Sequence, residues 1–196
     1  PAFPGAIGFG STTVGGSGRN FSVPATTVFR VTSLADSGVN TLRACAEASG
    51  PRVCIFETSG RISLLDRIEI SQPYITIAGQ TAPAPGIVIT GAGLKVSTHD
   101  VVIRHLAIRV GDSHSGPTPS ERDGFTVSGA KQSTFNVVAD HLSISWAIDE
   151  NVSFHAAPGK LKDVTFSNSI VSEALYHSIH SKGPHSMGML VNEGVH

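Results

Sequence analysis

The chain has 196 residues, which is enough for one domain with its own hydrophobic core. Its 14 Lys and Arg residues nearly balance its 15 Asp and Glu residues, and the resulting net charge of −1 predicts no binding to nucleic acid or to an anionic membrane surface. No apolar stretch is long enough to span a bilayer. Only 15% of the residues are charged and 21 are glycine, a composition that favours an all-β secreted protein.

Short runs rich in valine, isoleucine and phenylalanine recur along the chain, and glycine, proline, serine and asparagine separate them. Such runs predict β-strands. They cover residues 28–31, 52–56, 68–70, 74–77, 87–89, 101–110, 125–127, 137–146 and 164–171. A helix is predicted only for residues 41–48, and it ends before Ser49-Gly50-Pro51.

The only two cysteines, Cys45 and Cys54, are nine residues apart. They are interpreted either as a local disulfide formed in an oxidising compartment or as two free thiols in a reduced protein. The composition of the chain favours the disulfide and secretion.

Self-alignment shows two rows of internal repeats. Residues 101–109 align with 137–145 at an offset of 36 and then with 163–171 at an offset of 26, and 114–120 forms an inserted loop in the longer interval. Residues 123–127 align with 150–154 at an offset of 27. A unit of this length with several strands and no crossover helix predicts the stacked coils of a parallel β-helix. The alternative is a β-sandwich, which requires more hairpin turns than the single Asp123-Gly124 provides.

The second repeat row places acids in one column. A further step of the same length carries the column from Asp123 through Glu150 to His177, with Asp149 adjacent. Asp123, Asp149 and Glu150 are therefore predicted to converge at one edge, where clustered carboxylates bind a hard cation such as Ca²⁺ or Mg²⁺. The alternative is a set of unrelated solvated loop acids.

Four cationic or titratable residues follow this column. His177, His180, Lys182 and His185 lie within nine residues, and His180 and Lys182 share a face if the segment is extended. We interpret them as a cradle for an anionic sugar. The alternatives are a zinc site and ordinary surface histidines.

Several other polar or aromatic residues of the first repeat row have possible roles. Arg109 is a candidate for facing the substrate groove. His105 and His141 occupy one repeat column and are interpreted as structural. Trp146, the only tryptophan, either stacks on a sugar or packs at a turn.

Matching motifs run through the whole chain and resemble those of the pectate lyases, specifically the pectate trisaccharide-lyase-like branch of polysaccharide lyase family 1. The glycine-rich opening at 3–18 and the blocks at 31–43, 75–83, 102–105 and 138–150 carry the resemblance. It implies a right-handed single-stranded parallel β-helix, secretion, and Ca²⁺-dependent cleavage of pectate by β-elimination. By motif, Asp123, Asp149 and Glu150 match calcium ligands and Lys182 matches a substrate-binding lysine.

One departure from the family concerns the catalytic base. The family's base is an arginine on a coil beyond the position of His196, so the catalytic residue is unknown here. We therefore expect 1–196 to be a single β-helix domain truncated at its C-terminal side, the N-terminal two-thirds of a longer lyase, or one completed by a second chain. The alternative functions are a non-catalytic binder of acidic polysaccharide and a lyase for another uronate polymer.

Overall fold

The computed structural model describes residues 1–17 and 25–192, so Gly18 of the glycine-rich opening and His196 lie outside the described residues. One α-helix, α1 (Leu42–Glu47), confirms the predicted helix. Three 3₁₀ helices span Phe9–Thr12, Gly79–Thr81 and Pro119–Glu121. The strands are β1 (Thr27–Val31), β2 (Arg52–Phe56), β3 (Gly60–Ser63), β4 (Ile68–Ile70), β5 (Ile75–Ala78), β6 (Ile87–Thr90), β7 (Leu94–Val96), β8 (Val101–Arg104), β9 (Ala107–Arg109), β10 (Phe125–Gly129), β11 (Thr134–Asp140), β12 (Ser143–Ser145), β13 (Glu150–Ala156), β14 (Leu161–Ser167), β15 (Ile170–Ser172) and β16 (Met187–Val191).

The strands form three parallel sheets. Sheet 1 has the order β1-β2-β5-β8-β11-β14, sheet 2 has β15-β12-β9-β6-β3, and sheet 3 has β16-β13-β10-β7-β4. The chain visits the sheets in rotation and completes about five turns. The right-handed parallel β-helix predicted from the sequence is confirmed, and the β-sandwich alternative is excluded.

The core fills the space between the three sheets. Strand side chains alternate inward and outward, as the burial pattern of β2 and β6 shows. Cys54, Ile77, Ile103, Ala139 and Phe166 stand in register as one inward column of sheet 1. Each coil is too thin to bury these side chains alone, so the stacking of coils makes the core.

The strand register tests the repeat offsets. Val101 pairs with Val137, which confirms the offset of 36, and Phe125 pairs with Val152, which confirms the offset of 27. The offset of 26 is wrong, because Val137 pairs with Val164 and not with Asp163. The error arose because consecutive valines align almost equally well one residue out of register.

The predicted column of Asp123, Glu150 and His177 is also wrong in its third member. Glu150 pairs with Met187, and residues 173–186 form a connection that lengthens this coil. His177 lies within that connection. A constant repeat length cannot anticipate such an insertion, because loop length is set by contacts outside the strands.

The turns between sheets 1 and 2 hold neighbouring coils together. His105, His141 and Asn168 occupy equivalent turn positions with φ of 55°, 55° and 49°, in the left-handed region. The rings of His105 and His141 stack with centroids 4.5 Å apart. Their packing within the turn ladder supports the structural interpretation of both histidines.

Asp140 is the hub of this turn ladder. Its carboxylate accepts hydrogen bonds from Arg104 Nε (3.0 Å), His141 Nδ1 (2.7 Å), Ser167 Oγ (2.9 Å) and Asn168 Nδ2 (2.8 Å). Burial alone would raise the pKa of Asp140, but these four hydrogen bonds outweigh it and hold the pKa well below its ordinary value. Three coils are thus tied at one ionised carboxylate.

Helix α1 packs against β2 and β4 near the start of the β-helix. Thr41 caps it by accepting a hydrogen bond from Ala44 N (3.2 Å). The fully buried Arg52 donates to the carbonyl oxygens of Cys45 (2.8 Å) and Ala46 (2.7 Å) near the helix end. Cys45 and Cys54 form a disulfide that joins α1 to β2.

The N-terminal segment lies against the outer face of sheet 1. A Cβ atom at Gly16 would lie 1.8 Å from the carbonyl oxygen of Arg52, and one at Gly10 would lie 2.3 Å from that of Val137. Only glycine permits backbones to approach so closely. The outward residues Val102 and Val138 are therefore buried, at 3% and 1% exposure. Within residues 1–17 and 25–192, no helix has the length and apolar character needed to cross a bilayer.

Candidate functional site

The structure brings Asp123, Asp149 and Glu150 together, and we call these residues the acid cluster. Asp123 precedes β10, and Asp149 and Glu150 lie at the start of β13 on the next coil. One carboxylate oxygen from each residue lies within 4.8 Å of the others. Asp123 is fixed by a hydrogen bond from Thr126 Oγ1 to its Oδ2 (2.7 Å). The acids thus share one pocket at the edge of sheet 3.

The electrostatics of the acid cluster favour a bound cation. Burial and the neighbouring Asp123 carboxylate, with a further contribution from Asp149, raise the pKa of Glu150 to about 8. Three adjacent carboxylates cannot all ionise at neutral pH without a compensating positive charge. The donor set consists only of carboxylate oxygens, which are the ligands that Ca²⁺ and Mg²⁺ prefer. The cluster therefore fits a hard divalent cation.

Two histidines of the 173–186 connection surround Asp149, and we call His180 and His185 the histidine pair. His185 Nε2 lies 2.8 Å from Asp149 Oδ1, and His180 Nε2 lies 3.6 Å from the same atom. The two rings stack with centroids 4.3 Å apart. The His180 side chain is fully buried against Asp149 in this structure, and its predicted role in substrate binding stays a prediction.

Of the other predicted substrate-binding residues, Lys182 lies near the acid cluster and His177 does not. Lys182 is exposed, and its charge lowers the pKa of Glu150, opposing the acids. His177 is exposed, with its ring edge-on to Tyr176 at 4.9 Å, and is not part of the acid cluster. Lys182 thus lies close enough to the acid cluster for its charge to act on Glu150.

Arg109 is not brought to the acid cluster. It ends β9 in sheet 2, whereas the acids begin strands of sheet 3. Its guanidinium donates to the carbonyl oxygen of Ser143 (2.5 Å) and to Ser143 Oγ (2.6 Å). These bonds tie Arg109 to the neighbouring coil, and its role in substrate binding stays a prediction.

A groove of about 350 Å³ runs along the outer face of sheet 3 beside the acid cluster. Basic side chains that the sequence analysis did not select also line it: Arg67, Lys95, Lys131 and His155. The repeat pattern could not identify Lys95, because the inserted loop at 114–120 lies between Lys95 and its strand partner Thr126 and breaks the regular offset. A second depression of about 690 Å³ lies between α1 and residues 116–121 and contains none of the three acids.

Trp146 lies at a turn and is 44% exposed. Its Nε1 donates to Glu173 Oε2 (2.9 Å) on the next coil. The indole thus makes a contact between coils and keeps an exposed surface.

Curated proteins similar to this chain share one description. Those of Aspergillus flavus and Aspergillus oryzae, each named a probable pectate lyase C, are 36% identical over 194 residues, which is 98% of this chain. The Emericella nidulans protein of the same name is 35% identical over the same length. These matches confirm the resemblance to the pectate lyases. The chain spans 40% of the length of each of these relatives.

A solved structure agrees on the fold. The crystal structure of jun a 1, the major allergen from cedar pollen, superposes with a TM-score of 0.63 at 22% identity, covering 82% of this chain and 47% of that one. No family model matches the chain.

Proposed function

We propose that this chain, by itself or within a longer enzyme, acts in the calcium-dependent cleavage of polygalacturonate by β-elimination. The observation that carries the proposal is the acid cluster, whose three carboxylate oxygens lie within 4.8 Å of one another beside an open groove. The names of the curated relatives point to the same activity.

The chemistry requires removal of a weakly acidic C5 proton next to a uronate carboxylate. When bound, Ca²⁺ would supply positive charge that stabilises the negative charge that develops on the substrate. In this chain Asp123, Asp149 and Glu150 would hold the ion. The exposed Lys182 would bind a neighbouring uronate and fix the register of the polymer.

The groove cations extend this arrangement along the substrate. Lys95 is in register with Thr126 and Ser153 on the outer face of sheet 3, on the coil before Asp123. Burial lowers the pKa of His155, so its ring is neutral at pH 7 and can hydrogen-bond a sugar hydroxyl. The proposal assigns the described residues to cation and substrate binding and gives none of them the role of base.

The test has two stages. Calorimetry measures Ca²⁺ binding to the chain, and the ultraviolet absorbance of the unsaturated product measures cleavage of polygalacturonate with and without chelator. We expect the chain to bind Ca²⁺, and we expect the enzyme that includes the catalytic base to form product, which chelator abolishes and added Ca²⁺ restores. Absence of Ca²⁺ binding would overturn the proposal.

Two outcomes of the same test would redirect the proposal. Calcium-dependent binding of oligogalacturonate by the intact protein without any product would identify a non-catalytic binder of acidic polysaccharide. Product from alginate or a glycosaminoglycan, but not from polygalacturonate, would identify a lyase for another uronate polymer.

We also propose that the protein is secreted. The Cys45–Cys54 disulfide supports this, because structural disulfides persist in oxidising compartments. Measurement of the protein in culture medium against cell extract, in its native host, tests the proposal.

A further inference from the structure

The histidine pair lies against one side of the Asp149 carboxylate. His185 Nε2 is 2.8 Å from Asp149 Oδ1, and this carboxylate is only 11% exposed. Both ends of the 173–186 connection are anchored beside it. Leu175 N and Ser186 Oγ donate to the carbonyl oxygen of Ala147 (3.0 and 2.8 Å), and Met187 N donates to that of Asp149 (2.9 Å). The connection is therefore built around Asp149.

We assign the proton positions in the histidine pair from the hydrogen-bond partners of each ring. An ionised carboxylate only accepts hydrogen bonds, so His185 Nε2 carries a proton and donates to Asp149. His180 Nδ1 accepts a hydrogen bond from Lys182 N (3.2 Å), which leaves the proton of the neutral ring on Nε2. Both N–H groups thus point toward Asp149 Oδ1.

His180 has an unusual environment for a polar side chain. Its side chain is fully buried, and within the described residues its Nε2 has no hydrogen-bond partner. The distance of 3.6 Å to Asp149 Oδ1 is beyond hydrogen-bond length. A buried donor without a partner is costly, so its retention next to Asp149 points to a role at this carboxylate.

We propose that His180 and His185 are positioning residues for the Asp149 carboxylate. They hold Oδ1 from the side of the 173–186 connection, His185 by a direct hydrogen bond and His180 by its N–H dipole and by stacking behind His185. No described residue donates a hydrogen bond to Oδ2, which remains available to a cation shared by the acid cluster. This inference rests on the proposed calcium site.

The same side chains have a competing interpretation as a zinc site. One ligand atom each from Asp149, His180 and His185 lies within 4.8 Å of the others. A histidine that binds zinc through Nε2 donates its Nδ1–H to a neighbour. His180 Nδ1 instead accepts from the backbone N–H of Lys182, so the proton of the neutral ring is on Nε2 and that atom has no lone pair for zinc. The hydrogen bonding therefore favours positioning over zinc ligation.

The histidine pair also links the acid cluster to the substrate lysine. Lys182 N is the donor to His180 Nδ1, so the backbone that carries Lys182 is fixed to the ring that faces Asp149. A change at His180 is expected to affect both the cation and the lysine, whereas a change at His185 affects Asp149 alone. The two histidines can thus be separated by experiment.

The test measures Ca²⁺ affinity by calorimetry on the chain and on substituted chains at constant pH. We expect His185→Leu to weaken Ca²⁺ binding by about tenfold or more, as loss of a partner to a metal ligand does. His185→Gln restores a donor and is expected to regain most of the affinity. His180→Phe keeps the stacked ring without the N–H and is expected to weaken binding less than His185→Leu.

Controls separate positioning from folding and from the proposed function. His114→Leu, at an exposed site on another connection, is expected to leave Ca²⁺ affinity unchanged. Circular dichroism melting must show that each variant is folded. If His185→Leu does not fold, the Ca²⁺ affinity of His185→Gln provides the test instead. If the unsubstituted chain binds no Ca²⁺, the proposed function fails. If it binds Ca²⁺ and His185→Leu binds equally well, the positioning role fails. Tight Zn²⁺ binding that His185→Gln abolishes would also overturn positioning.

Discussion

Two kinds of connection between sheets behave differently in this molecule. The turns between sheets 1 and 2 in the last three coils, at 105–106, 141–142 and 168–169, all have two residues, whereas the earlier ones at 57–59 and 79–86 are longer. The connections between sheets 2 and 3 at 110–124, 146–149 and 173–186 vary widely. All the residues of the acid cluster and the histidine pair lie in or directly after the variable connections. The three short turns tie neighbouring coils together, and the acid cluster and the histidine pair lie in or next to the connections of variable length.

The physical basis of this difference is hydrogen bonding. Each short turn places one residue in the left-handed region and is tied through Asp140 to its neighbours. A change of length in one of these turns would put the strand of sheet 2 that follows it out of register with its neighbours. A longer connection between sheets 2 and 3 costs little, because loop-closure entropy rises slowly with length.

The largest expected effect comes from insertion of one residue. A glycine inserted between His141 and Leu142 reverses the facing of β12 and turns the buried Ile144 outward. We expect a loss of more than about 3 kcal/mol of unfolding free energy, or loss of the cooperative melting transition. The same insertion between His114 and Ser115 is expected to cost about 1 kcal/mol or less. Equal costs for the two insertions in thermal melts would contradict the distinction.

Removal of one charge from the acid cluster is the next largest change. Asp149→Asn keeps the shape of the side chain but removes a charged ligand, and we expect Ca²⁺ affinity to fall by about a hundredfold. Calorimetry measures the affinity. Glu57→Gln, which alters an exposed acid paired with Arg30, is the matched control and should bind as before.

Asp140, which ties the three short turns together, can be tested through the pH dependence of stability. In Asp140→Asn, the amide NH₂ group replaces one carboxylate oxygen and so faces at least two of the four hydrogen-bond donors, which it cannot accept from. We expect this change to lower the free energy of unfolding by about 2–3 kcal/mol at pH 7. The folded pKa of Asp140 lies below the unfolded value, so its contribution is present above about pH 4 and is lost as the pH falls further. Denaturation of both forms should show the difference in unfolding free energy narrowing as the pH falls below about 4. A difference that is independent of pH would contradict this account.

The smallest expected effect on stability comes from substitution of Asn168, in the last of the three short turns. Asn168 has a φ of 49° and donates to Asp140. Both Asn168→Ala and Asn168→Gly lose the hydrogen bond, but only alanine adds a cost of about 1 kcal/mol for the left-handed conformation. Chemical denaturation should therefore rank glycine above alanine, and the reverse order would show that the backbone conformation of this turn is not limiting.

Much of the fold could be predicted from local pattern. The repeats of valine and isoleucine predicted parallel coils, and helix α1 was predicted by its composition and its stop signal. The offset of 27 between β10 and β13 also predicted that Asp123 and Glu150 would meet. The offset of 26 and the place of His177 were wrong, because neighbouring valines and an inserted connection cannot be resolved by pattern alone.

The sequence by itself determined the coil, because strand periodicity and stacked apolar columns are properties of residues close in each repeat. It also identified the three acids that the coil brings together. Only the tertiary structure decided that His180 and His185 lie against Asp149, that Arg109 binds Ser143, and that Lys95 lines the groove beside the acid cluster. Those outcomes depend on the path of long connections and on contacts between distant residues, which no repeating pattern encodes.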